Sequence, residues 1–307
     1  MDRALANGIH VKAWTFDELY GRDSKFLDAV DRRGQAFVGE IPGNFHVWTQ
    51  KPKILRGPHP NGKKGCKKKY PRVRKSPQSC QVRNLATHSF VFTDQPWQKY
   101  RIKETDRGPE VWEVKWVWVW RKTEDKLPSR QQTLIVARNV RTGEIKYFLS
   151  NCVIGRAGVT LRWLLRVAFG RWAIEACFRT AKSELGMNHF EVRGWRCVHR
   201  HYYVTQLSFL FSSRLRQQWD DLKQDDPLEK LTIEQVREAV NTYLRNRDLP
   251  PPERRQRFQK EMDRQRNHQK RNAQAAKSHT KTRRKQLQQL GIDVDRIKSC
   301  QPKDEKL

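Results

Sequence analysis

Apolar positions change their spacing along the chain, and those changes divide it into segments. Residues 8–16 (GIHVKAWTF) predict a strand that stops at Asp17. A turn with Tyr20 and Gly21 follows, then a helix over about residues 24–33 with Phe26, Leu27 and Val30 on one face. Residues 35–41 (QAFVGEI) predict a second strand. Strand, aspartate, helix, strand is the order of an α/β layer, in which helical connections join parallel strands.

The texture then changes. Residues 50–80 are rich in Pro, Gly and Lys and have almost no apolar period, which predicts a mobile basic loop. From 89 to 150 the pattern is strand-like in four runs, SFVF, VWEVKWVWVW, QTLIVAR and IKYFLS, with a hairpin turn at RTGE (141–144). In the second run Trp112, Val114, Trp116, Trp118 and Trp120 share one face, and Val111, Glu113, Lys115, Val117 and Val119 the other. These strands are expected to form an antiparallel β-insert between two halves of the α/β layer. Helical spacing returns over about 160–185, with Gly186 as C-cap, and again over 198–219, where Leu207, Leu210, Phe211 and Leu215 make the apolar side. A third helix covers 232–246. After the prolines at 250–252 comes a basic tail with few apolar anchors, expected to be solvated, disordered or helical.

Composition narrows the partner. Lys and Arg outnumber Asp and Glu by 63 to 33, a formal charge of +30, while 11 Trp and 36% hydrophobic residues are enough for a real core. So basic a chain favours a polyanion, and phosphate neutralisation with counterion release makes nucleic acid the expected one. Ribosome-like and membrane-surface roles do not account for the Trp load or the strand-rich middle. No stretch approaches the roughly 18 apolar residues of a spanning helix, and the start has no apolar signal core. Six scattered cysteines without a C-x-x-C pair argue against a zinc module or a disulfide scaffold and for a reducing compartment. No phosphate-binding G-x-x-x-x-G-K-[ST] loop occurs, which argues against an ATPase.

The sharpest chemistry lies in RWAIEACFRTAKSELG, residues 171–186. On a helix Arg171, Glu175, Arg179 and Lys182 share a face, beside an apolar stripe of Val167, Ile174, Phe178 and Ala181, so Glu175 is expected at the rim of a buried face. Taken alone, this reads first as an ordinary i,i+4 charge ladder. Weaker candidates are His199 and His201 at two-residue spacing, and Cys66 and Cys80 around the lysine-rich loop.

The spacing R-x3-E-x6-K resembles the signature of bacterial insertion-sequence DDE transposases of the insertion-sequence-four (YREK) superfamily. The run 185–211 (LGMNHFEVRGWRCVHRHYYVTQLSFLF) resembles its continuation, and WTFDELYGRDSKFLDAV (14–30) resembles the segment that carries their second catalytic aspartate. The resemblance extends to about Trp219. It departs at Ala168, where the signature has tyrosine, and at the first aspartate, for which only 16 residues precede Asp17. An N-terminally truncated relative is therefore expected.

The resemblance implies an RNase H-like α/β catalytic core interrupted by an antiparallel β-insert, followed by helices and a basic tail. Its divisions fall at 1–42 (first part of the core), 43–157 (basic loop and β-strand insertion), 158–249 (helical part of the core) and 250–307 (tail). It implies Asp17 and Glu175 as catalytic, metal-ligating residues, with Mg2+ or Mn2+ promoting in-line phosphoryl transfer. Arg171, Arg179 and Lys182 would hold the phosphates of double-stranded DNA at transposon ends, and one insert Trp could stack on an unpaired base. It also implies a homodimer in a synaptic complex, a cytoplasmic, nucleoid-associated location and no membrane partner. Three functions follow: cut-and-paste transposase or its inactive remnant; a non-catalytic DNA-binding protein or inhibitor of transposition; and a metal nuclease of the same fold. With one acidic ligand missing, the chain alone is expected to be inactive.

Overall fold

The computed structural model describes residues 1–55, 71–74, 77–222 and 231–301. The first elements are α1 (Asp2–Ala6), β1 (Trp14–Phe16), α2 (Glu18–Gly21), α3 (Ser24–Arg32), β2 (Phe37–Ile41), β3 (His46–Trp48), β4 (Ile54–Leu55), β5 (Arg72–Val73) and β6 (Cys80–Gln81). Next come α4 (Val82–His88), α5 (Phe90–Thr93), β7 (Gln98–Thr105), β8 (Gly108–Arg121), β9 (Gln132–Asn139) and β10 (Ile145–Ser150). The rest is mostly helical: α6 (Leu161–Gly170), α7 (Trp172–Leu185), α8 (Trp195–Leu222), α9 (Ile233–Arg245), α10 (Pro251–Gln289), and a last strand, β11 (Lys298–Ser299). The chain divides into two compact units. The first holds residues 1–105, 109–171 and the chain from Arg284 on; the second holds 106–108 and 172–283.

The first unit is a mixed α/β layer. β1 pairs with β2 in parallel, Trp14 opposite Phe37 and Phe16 opposite Gly39, as a helical connection between strands requires. β2 then pairs antiparallel with β10, and β10, β9 and β8 form an antiparallel meander. β3 and β6 extend the sheet beyond β8, while β7 joins β8 and takes β11 in parallel. The strands expected as an insert thus continue the sheet that β1 and β2 begin.

Helices cover both faces. On one side Leu27 and Val30 of α3, Val82 and Leu85 of α4 and Phe92 of α5 pack with Phe16, Phe37, Val117, Val119, Leu134 and Val136. On the other, Leu161, Leu164, Leu165 and Ala168 of α6 pack with Val38, Trp112, Val114, Ile135, Ala137 and Phe148. Alternate residues of β9 therefore enter opposite cores, which is why QTLIVAR reads as an unbroken apolar run. The two faces expected for β8 separate in the same way.

Several local expectations change. Residues 8–13 are not strand: α1 precedes them, and Gly8 turns the chain at φ +73°. SFVF is not a strand either, because its apolar residues lie on the short helix α5 with Phe92 fully buried. So short a run fits either period. β7 alternates clearly, with Tyr100 and Ile102 buried, although no strand was expected there. The helix expected over 160–185 is two, α6 and α7, divided at Arg171. Most of the basic loop expected over 50–80, including Cys66, lies outside the described residues.

The tail is helical over Pro251–Gln289 and ends in the short strand β11. Pro251 and Pro252 open α10, positions where a missing N–H costs nothing. Its few apolar anchors suffice: Leu287, Ile292 and Val294 pack on Val111 in the first unit, and Cys300 is buried beside the second core.

In the second unit α7, α8 and α9 pack together. Thr232 caps α9 in a capping box with Gln235. Arg237 of α9 donates to the Glu184 carbonyl at the end of α7. The apolar side expected for α8 is exposed at Leu207, Leu210 and Phe211, while Thr205 and Ser212 are buried. Two residues before and five after Leu207 on a 3.6 period, those small polar residues lie opposite it, and they are the side that packs.

Candidate functional site

Asp17 follows the last residue of β1 and opens α2. Its carboxylate accepts the Tyr20 N–H at 3.4 Å, and its backbone is extended, so it ends the strand and caps the helix at once. The side chain is half-buried. What holds this corner is Gly21. A Cβ there would stand 1.9 Å from the Glu40 carbonyl oxygen on β2, so only glycine lets α2 press on that backbone. A second close approach lies beneath it, where Gly39 leaves room for the Phe16 ring. The Tyr20–Gly21 pair was legible in the sequence as a turn; its reason is this contact. Among the described residues β1 pairs only with β2, so its other edge is open.

Glu175, Arg179 and Lys182 lie in the second unit and line one open groove of about 700 Å³ with Phe178, Ser183, Asn188 and His189. The groove follows α7 and the turn after it. Gly186 sits at φ +66°, as expected of a C-cap, and the Met187 N–H reaches back to the Ala181 carbonyl at 3.0 Å. That bond folds Asn188 and His189 beside the helix, which sequence spacing alone did not suggest. The Arg179 guanidinium lies 5.3 Å from the centre of the Trp172 ring. One expectation is corrected: Glu175 is exposed and not at the rim of a buried face, since Ile174 and Phe178 are about half exposed and Ala181 is the buried residue of α7. Asp17 and Arg171 belong to the first unit.

The weaker candidates resolve into structure. His199 Nδ1 lies 3.0 Å from the Trp195 carbonyl and His201 Nε2 lies 2.9 Å from that of Gly186, so both rings bond backbone. Burial pushes the Cys152 thiol above its ordinary value and raises Cys300 to about 11, which keeps both protonated and poorly nucleophilic at neutral pH. In β8, Trp112 is buried among core residues whereas Trp118 is 48% exposed.

A network missed by sequence reading steadies the first unit. Arg121 has a fully buried side chain, and its Nη2 donates to Asp28 at 2.6 Å and Asp31 at 2.8 Å on α3. Asp28 also accepts the Glu124 N–H. Asp31 accepts from Asn151, whose own amide oxygen takes the Phe37 N–H at 2.8 Å. Helix, β8, β2 and the loop after β10 are thereby joined by polar contacts that no local pattern announces.

Among the described residues, no group of three or more Asp, Glu, His or Cys side chains converges as a metal site. One carboxylate at Asp17 and one at Glu175 do not make such a set, so the residues present do not fit a two-ion centre. No helix among the described residues is long and apolar enough to cross a membrane. A comparison with curated proteins gives no match. Over residues 1–109, a stretch that holds β1, Asp17 and the parallel pair but not Glu175, the chain is similar to the family described as DDE superfamily endonuclease.

Proposed function

We propose that this chain is a transposase-like DNA-binding core in which Asp17 and Glu175 stand where the second and third acidic residues of a DDE triad stand. The observation that carries this reading is the corner at Asp17. The carboxylate ends the first strand of a parallel pair, a buried glycine contact fixes it, and the family match spans it. A strand bearing the first aspartate fits the open edge of β1, because an unpaired row of N–H and C=O groups accepts another strand.

The chain's own residues then bind and orient DNA. Arg179 and Lys182 line a groove with the Ser183 hydroxyl and the Asn188 amide, groups that suit phosphate oxygens. Arg171, in the turn before α7, belongs to the same proposed set. A homodimer bridging two transposon ends completes the reading.

Purified chain incubated with supercoiled plasmid and Mg2+ or Mn2+ tests it. We expect salt-dependent DNA binding without strand cleavage. Metal-dependent nicking that Glu175→Ala abolishes would show a complete acidic set and overturn the reading that one acidic ligand is missing. Failure to bind duplex DNA at any salt would overturn the transposase-like reading itself.

A further inference from the structure

We infer that the solvent face of α10 between Lys260 and Lys281 is a second binding surface for double-stranded DNA, separate from the α7 groove; the choice of DNA as partner rests on the proposed function. From Arg264 to Gln289 the helix has nine Lys or Arg and no acidic residue. The two acids just before, Glu261 and Asp263, pair with Arg264 at 3.6 Å and Arg266 at 3.3 Å. Beyond those pairs, Lys260, Lys270, Arg271, Lys277 and Lys281 are exposed and have no carboxylate partner among the described residues. Five cations are left uncompensated on one helix, an arrangement that favours a polyanion as partner.

Their placement is one-sided. Met262, Gln265, Gln269, Ala273, Ala276 and Thr280 are half-buried at three- and four-residue intervals, the spacing of a helix seated along one seam. Gln269 donates to Gln235 of α9 from this seam, and the backbone at Gly108 comes so near Thr280 that a Cβ would meet its Cα at 3.0 Å. At roughly 100° per residue, the five free cations fall within about 120° of one another on the side turned away from the seam. Lys260 to Lys281 spans about 32 Å at 1.5 Å per residue, close to one turn of duplex DNA.

The chemistry of the face selects the partner. Between the cations stand Asn267, Asn272, Gln274 and Ser278, all exposed, which are side chains that meet phosphate and sugar oxygens. A membrane-surface helix needs a broad apolar side as well, and here the one exposed apolar residue between Lys260 and Lys281 is Ala275. One-sided charge without an apolar anchor matches a phosphate backbone, and predicts binding that positions DNA without reading its sequence.

The test uses the full chain and a variant with Lys260, Lys270, Arg271, Lys277 and Lys281 all changed to Gln, which keeps helix propensity. Circular dichroism confirms folding, and affinity for a 30-base-pair duplex is measured across salt concentrations. We expect the slope of log affinity against log salt to become shallower by about 4 to 5, at about 0.9 for each of the five lost phosphate contacts, equally for unrelated sequences. Restoring charge with Arg at the three central positions, K270R, R271 unchanged and K277R, should recover most of the slope. A variant with wild-type slope and affinity overturns this inference and leaves the proposed function standing. A wild-type chain that binds no duplex overturns both, and equal, charge-dependent binding to anionic lipid vesicles overturns the choice of DNA.

Discussion

Replacing Arg121 by Met removes a guanidinium whose side chain is fully buried and which bridges Asp28 and Asp31 at 2.6 and 2.8 Å. Methionine fills comparable space without a polar atom, so the loss is electrostatic rather than a cavity. Two carboxylates are left facing each other three residues apart on α3, with side-chain exposures of 14% and 24%. Removing one partner of a buried pair costs roughly 3–5 kcal/mol. Partial access of both aspartates to water places this case near about 3 kcal/mol, before any loss of the Asn151 bond to Asp31. Among the described residues Nε and Nη1 of Arg121 have no hydrogen-bond partner, so part of the pair's gain is already spent on their desolvation. Amide hydrogen exchange over β9, which lies between the two cores, is the assay. At 1.4 kcal/mol per tenfold change, exchange limited by unfolding should quicken by about 100-fold or more. The triple variant Arg121→Met, Asp28→Asn, Asp31→Asn should recover most of the protection, because no uncompensated charge remains. A single variant within about threefold of wild type, or a triple variant worse than the single, would refute the reasoning.

Gly21→Ala should destabilise the first unit by at least the ~1–3 kcal/mol of a tight overpacked site, since the added carbon meets backbone at Glu40. Thermal unfolding measures it, and an unchanged midpoint would mean that α2 does not press on β2. Trp118→Ala should leave the fold intact, the ring being half exposed, yet weaken binding to duplexes carrying unpaired bases by about 1–3 kcal/mol per stacked base; fluorescence anisotropy with paired and unpaired probes separates the two effects. At pH 8 the exposed Cys197 should alkylate readily while Cys300 resists until the protein unfolds, as peptide mass spectrometry will show. The sign follows for stability: the Cys300 thiol is raised in the folded state to about 11, so its contribution is intact below the ordinary thiol value and is lost as pH rises towards the folded one. Cys300→Ala should flatten that alkaline decline.

The sequence by itself determined what is local. Leu27 and Val30 mark one face of α3, β8 announces itself by two alternating faces and β9 by an unbroken apolar run, α9 starts at Thr232, and Gly186 ends α7. Each rests on a period or a cap that acts within a few residues, so neighbours along the chain suffice to state it. The Asp17 corner was legible for the same reason, as a strand end before a turn. The excess of Lys and Arg likewise pointed to a polyanion as the partner to propose before any fold was known.

Only the tertiary structure decided which faces were covered. Leu207, Leu210 and Phe211 satisfy the pattern of a buried stripe and stand in solvent, while Thr205 and Ser212 pack. Periodicity says that two sides differ, not which side meets a neighbour. The tail reads as disordered because its anchors are sparse, yet Leu287, Ile292 and Val294 find Val111 across more than 170 residues of chain. Arg121 reaches Asp28 across 93 positions, and Gly21 owes its identity to a carbonyl on a different element. Such contacts depend on chain segments brought together by hydrophobic burial, which no local window contains.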